Sequence, residues 1–191
     1  ELWDAETGAV APADAWREAD GRTEVTVPFT VCGSKFVVFR RPAKKGTHAA
    51  ACRIEARVAE PPPPLPVAGA WTVSFPNGFL PNRLAKGPDE KVAFDRLASW
   101  SENANPGVRY FSGIATYEKT LDGASVAKLG ATPGARVVLD LGDVRSFAEV
   151  TANGTTYPAL WKPPFRVDVT DALTPNQPLA LRIRVANLWA N

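Results

Sequence analysis

The stretch RVVLDLGDVRSFAEVTANGTTYPALWKPPFRVDVTD, Arg136 to Asp171, decides the fold. Val137, Leu139 and Leu141 recur at a period of two, as do Ala148, Val150 and Ala152. Phe165, Val167 and Val169 repeat the pattern against outward Arg166, Asp168 and Thr170. Such alternation marks strands with one buried face. Asn153-Gly154 supplies the positive φ angles of a type I′ turn, so the strand before it should fold straight back through Thr155 to Tyr157. The stretch predicts an antiparallel β-meander whose register that turn sets.

The flanks extend the pattern. Trp71, Val73 and Phe75 alternate, Pro76-Asn77-Gly78 opens a polar loop to about Glu90, and FDRLASWSE brings the chain back from Phe94. NPG at Asn105 to Gly107 turns it into VRYFSGIATYEKTL, which carries Phe111, Ala115 and Tyr117 inward. Beyond Asp171-Ala172-Leu173, TPNQP reverses the chain into Leu179, Leu181, Ile183 and Val185, alternating with Arg182 and Arg184. About eight strand segments lie between Trp71 and Trp189, with no run reading as a long helix. This predicts an all-β fold, a jelly-roll-like β-sandwich.

Residues 1–60 read differently. TEVTVPFTV, KFVVFRR and AAACRIEARVA are three short strand-like runs after a loop holding Trp3 and Trp16, and three strands bury little unaided. They are expected to be the C-terminal remnant of a preceding β domain. Pro61 to Pro64 and Pro66 cannot donate ladder hydrogen bonds, so residues 61–68 read as a stiff linker, with the sandwich domain over residues 69–191. The absence of methionine and the start at Glu1 suggest a piece of something longer.

Composition narrows the function classes. The net charge is +2, with 22 basic residues interspersed among 20 acidic ones, so no electrostatic footprint for nucleic acid stands out. No apolar run approaches the roughly 20 residues needed to span a bilayer, and membrane insertion is not expected. Cys32 and Cys52, the two cysteines, each sit in a strand-like run; a disulfide and a pair of buried thiols are the two readings.

WTVSF at Trp71, LASW at Leu97, NPGVRYFSGIATYEKT at Asn105, LDLGDVRSFAEVTANG at Leu139, LWKPPFRVDVTDAL at Leu160 and LRIRVANLWAN at Leu181 stand in fixed order. Together they resemble the C-terminal region of bacterial α-L-rhamnosidases of glycoside hydrolase family 106, related to the sugar-binding, galactose-binding-like jelly roll of family 2. ELWDAETG and KFVVFRR share the likeness. It implies a non-catalytic ancillary domain, carbohydrate-binding or barrel-supporting, of an enzyme that releases rhamnose from polysaccharides or glycosides, with a purely structural platform as the alternative. It further implies that the catalytic carboxylates lie elsewhere, that the partners are the parent's catalytic barrel domain and a rhamnose-containing glycan, and that the setting is periplasmic or extracellular. Jelly-roll sugar modules often carry structural calcium; no acidic cluster such as DxDxD is present, so the sequence neither supports nor excludes that ion, and no other cofactor is expected.

A self-contained hydrolase would need a nucleophile and base or two spaced carboxylates. His48, the one histidine, lies in a basic loop, and Asp140 and Asp143 read better as turn residues than as a catalytic pair. Sugar recognition needs an aromatic plate for the C–H face of a pyranose and fixed polar groups for its hydroxyls. Trp161 with Lys162 beside Pro163-Pro164, Trp100 with Asn103, and Arg109 with Tyr110 at the start of the next strand are candidates. Asn187 and Trp189 continue the inward parity of the last strand and emerge at its end. For each tryptophan the competing reading is a packed plug at the end of the sandwich.

Overall fold

The structure is a computed structural model that describes residues 1–40, 42, 64–76, 90–129 and 134–187. The chain divides into two compact units, Glu1–Pro63 and Pro64–Asn191.

In the first unit, β1 (Leu2–Asp4) pairs with both β2 (Val10–Ala11) and β5 (Lys35–Val37), and β3 (Trp16–Ala19) forms a hairpin with β4 (Arg22–Val25). Asp20 and Gly21 close that hairpin with φ of 52° and 71°. Trp3 and Trp16 therefore lie in strands, not in a loop: elements of three and four residues are too short for alternation to declare them. TEVTVPFTV yields a strand only to Val25, and Cys32 sits in a turn at φ 55° as an exposed free thiol, contrary to the expected buried strand position. AAACRIEARVA with Cys52 lies outside the described residues, as does the proline tract to Pro63. None of the buried core side chains among the described residues comes from this unit, and Phe29, Phe36 and Phe39 stand exposed.

The second unit is an all-β sandwich. Its large sheet has six strands in the order β11-β10-β13-β8-β6-β7, formed by β6 (Trp71–Phe75), β7 (Glu90–Phe94), β8 (Ile114–Leu121), β10 (Phe147–Ala152), β11 (Thr155–Thr156) and β13 (Leu179–Ala186). A second pair, β9 (Val138–Asp140) and β12 (Arg166–Asp168), carries Leu139 and Val167 against the same core. The helices are short: α1 (Pro106–Arg109) and α2 (Gly123–Leu129).

The inner face of the six-stranded sheet follows the alternation closely. Trp71, Val73, Phe75, Ala148, Val150, Ala152, Leu179, Leu181 and Ile183 are all buried. The Asn153-Gly154 turn has φ of 46° and 85°, as a type I′ turn requires, and sets Thr151 opposite Thr156. Asn153 also acts as a clamp. Its Nδ2 donates to the Ala172 carbonyl at 2.9 Å and its Oδ1 accepts from the Ala180 N–H at 2.9 Å.

The expected meander is corrected. β9, β10 and β12 do not pair in succession: β9 pairs with β12 in the small sheet, while β10 crosses to the large one and pairs with β13. Gly142 at φ 68° and Ser146 at φ 91° turn the chain between the layers. Period-two alternation states which face is buried, and both layers of a sandwich bury one face, so alternation alone does not name the partner. β7 was also hidden, because only Val92 and Phe94 mark it, beside a loop that lies mostly outside the described residues.

Across the small sheet, the Asp168 carboxylate accepts from the Thr170 hydroxyl at 2.5 Å, the Thr170 N–H at 3.0 Å and Arg136 Nε at 2.5 Å. These bonds, the Thr170 hydroxyl foremost, hold its pKa down from 3.8 to about 2. A depressed folded value contributes stability that is present above the unfolded value and lost as pH falls through the folded one. The melting temperature, followed by circular dichroism, is expected to fall as pH drops from 3.8 toward 2. Asp168→Asn keeps the acceptor for Thr170 and should lose less over the same interval.

Candidate functional site

Trp100 opens a 3-10 turn, Trp100–Glu102, and that turn swings its indole inward although Ser101, Glu102 and Asn103 beside it are polar. The ring is 9% exposed. Phe75 and Phe111 meet it edge-on, each at 5.5 Å between centroids, and Phe75 meets Phe111 at 5.0 Å. The indole Nε1 donates to the Tyr117 hydroxyl at 2.5 Å, and burial pushes the pKa of that hydroxyl up. Trp100 is thus a plug of the core, and no face of it is open to a pyranose.

Arg109 and Tyr110 lie at the end of a helix rather than at the start of a strand, and Asn103, which closes the 3-10 turn, stands just before the cap of that helix. Asn105 caps α1, its Oδ1 accepting from the Gly107 N–H at 2.8 Å, with Pro106 in the first turn. Asparagine followed by proline is a helix-start signal, and NPG carries it as well as a turn signal. The Asn103 Oδ1 accepts from the Asn105 N–H at 2.9 Å, and Arg109 Nε donates to the Asn103 carbonyl at 3.0 Å. Two of the expected sugar-contacting groups are therefore engaged in holding the loop. Tyr110, at the C-terminal end of α1, remains exposed.

Asn187 serves a similar end. Its Oδ1 accepts from the Gly113 N–H at 2.9 Å and its Nδ2 donates to the Phe111 carbonyl at 2.8 Å, so it pins the segment entering β8 to the strand end of β13. Trp189 lies outside the described residues.

Trp161 differs from Trp100. It is 52% exposed, with Lys162 Nζ 5.7 Å from its ring centroid. Leu160 bridges Ala148 through two backbone hydrogen bonds of 2.7 and 2.9 Å, which fastens the loop to β10, and the Pro163-Pro164 bond that follows is cis. Trp161 and Trp100 do not form one cleft: one is a surface residue and the other a core residue.

The carboxylates expected in turns are so used. The Asp140 carboxylate accepts from the Gly142 N–H at 2.9 Å and from Arg166 at 2.7 Å, and the Gly142 bond leads in lowering its pKa. Asp143 pairs with Arg145 at 3.2 Å. His48 is outside the described residues. Among the described residues no group of three or more His, Cys, Asp and Glu side chains gathers to hold a metal ion, and no helix is long and apolar enough to cross a membrane.

No family model matches the chain. A curated Formosa agariphila protein that carries the provisional name beta-glucuronidase is 41% identical over 130 residues, which are 68% of this chain and 10% of that protein. The solved rhamnosidase of Novosphingobium sp. PP1Y matches over 98% of this chain and 16% of its own, at 28% identity and a TM-score of 0.55. A β-D-glucuronidase of Dictyoglomus thermophilum matches over 63% of this chain and 19% of its own, at 17% identity and a TM-score of 0.46. The chain thus spans a small part of the relatives it matches, and its likeness is to β domains associated with glycoside hydrolases.

The contrast between the two tryptophans is measurable. Trp100→Ala is expected to destabilise by about 3–5 kcal/mol, since it empties a core site and strips Tyr117 of its donor. Trp161→Ala should stay within about 0.5 kcal/mol of the parent in the same urea titration.

Proposed function

We propose that the chain is a non-catalytic ancillary region of a larger, α-L-rhamnosidase-like glycoside hydrolase that releases rhamnose from polysaccharides or glycosides. The observation that carries this is the rhamnosidase likeness, which runs through both units at 28% identity yet fills only 16% of the solved enzyme. The 130 residues shared with the Formosa agariphila protein, named for a different sugar, support a role that does not itself set the sugar cleaved. In this reading residues 1–60 are the end of a preceding β domain, residues 61–68 a linker and residues 69–191 a jelly-roll sandwich, and the partner is the parent's catalytic barrel. The parent works in the periplasm or outside the cell, where such polysaccharides are met.

Two forms of the ancillary role stand, glycan contact and a purely structural platform. The burial of Trp100 and the internal hydrogen bonds of Asn103, Arg109 and Asn187 favour the platform at the end of the sandwich where they lie.

Incubating the chain with aryl α-L-rhamnoside and aryl β-D-glucuronide is expected to release neither sugar, whereas the full-length parent releases rhamnose. Turnover of either compound by the chain alone, persisting through independent purifications, rules the ancillary reading out.

A further inference from the structure

The outer face of the six-stranded sheet bears a row of apolar side chains that the core does not use. Register defines it. Phe147, Ala186 and Ile114 stand directly opposite one another across β10, β13 and β8. Because Ala148 bridges Leu160 in an antiparallel sense, Trp161 falls in the place opposite Phe147. Trp161 is 52%, Phe147 48% and Ile114 41% exposed, although each neighbours a well-paired strand position. At about 4.8 Å between strands, the row runs roughly 14 Å across the sheet.

Behind this row the face turns polar at once. The next outward positions are Glu149, Arg184, Thr116, Ser74 and Lys91, with Arg184 Nη1 donating to Glu149 Oε1 at 2.9 Å. One step further, Arg182 stands directly between Thr151 of β10 and Glu118 of β8. Among the described residues the Arg182 guanidinium forms no side-chain hydrogen bond or ion pair, its backbone being taken up in the ladders to β10 and β8. Arg184, Lys91 and Arg182 outnumber the two carboxylates of this face, Glu149 and Glu118.

A row one residue deep is narrower than a stable protein interface, which buries about 800 Å² per partner with an apolar centre. It suits a chain-shaped ligand. A pyranose presents a C–H face to an aromatic ring and hydroxyls at its rim, and the excess of guanidinium and ammonium groups suits a ligand carrying negative charge. We propose that this surface binds an anionic oligosaccharide, with sugar rings on Trp161 and Phe147 and its carboxylate or sulfate groups at Arg184 and Arg182. The inference rests on the ancillary role proposed above and gives that role a ligand.

Calorimetric titration of the chain at low salt tests it, with oligogalacturonate as the carboxylate probe, a sulfated galactan oligosaccharide as the sulfate probe and methyl-esterified oligogalacturonate as the uncharged control. Binding of at least one anionic probe is expected, and the control should bind about tenfold more weakly. Trp161→Ala and Phe147→Ala should each weaken binding by about tenfold. Arg182→Gln, at an exposed position, should weaken the anionic probe without changing the control. The proposal is overturned if neither anionic probe binds, if the ester binds equally well, or if both aromatic substitutions leave binding unchanged. A chain that binds no glycan while its parent still cleaves the rhamnoside overturns this surface alone, whereas sugar release by the chain overturns the ancillary role instead.

Discussion

An apolar sheet face cannot be left against water, and the inner face of the six-stranded sheet is the constraint that the rest of the sandwich satisfies. Ala115 and Ala148 are fully buried although small, so the bulk above them must come from outside the sheet. It comes from two sources. The β9–β12 pair brings Leu139 and Val167 against the core, and Trp100 and Phe111, from the segment between β7 and β8, fill the same cluster edge-on to Phe75. Among the described residues the helices, of four and seven residues, are too short to form a covering layer and add Val108 and Val126 to the cluster. Loops that look dispensable in sequence are thereby part of the core, and the hydrogen bonds of Asn103, Arg109 and Asn187 keep them in place.

The all-β sandwich was legible in the sequence because alternation reports burial directly: the expected faces of β6, β10 and most of β13 are buried, and Val137, Leu139, Leu141, Val167 and Val185 pack half-buried against the same core. The Asn153-Gly154 turn was legible for a different reason: few residue pairs accept two positive φ angles. Pairing beyond that hairpin was not legible. β9 and β12 flank β10 in the chain and still choose each other, since the crossing at Gly142 and Ser146 depends on backbone angles that no hydrophobic pattern encodes.

The candidate site shows the same division. Trp161 and Trp100 have similar surroundings in sequence, each beside polar residues, and only the inward swing of a 3-10 turn separates a core plug from a surface ring. Arg109 and Tyr110 were assigned to a strand because the alternation of β8 was extended backward over α1, where a capped turn of helix wins. Phe147 escaped notice altogether. It opens a strand whose inward residues are Ala148 and Val150, and its own outward parity reads as an ordinary exposed position until the register aligns it with Ile114 and Trp161.

β13 pairs with β10 on one side and β8 on the other, although it is the last strand described along the chain. During synthesis on the ribosome, the β11–β10 hairpin and the β8–β6–β7 ladder are therefore made first, and among the described residues no strand pairing joins them until residues 179–186 emerge. Closing the sheet means inserting a strand between fragments already formed, through contacts distant in sequence, which slows folding relative to a chain built from neighbours. A nascent chain paused before Leu179 exposes two open strand edges, and those edges are the natural target for a chaperone.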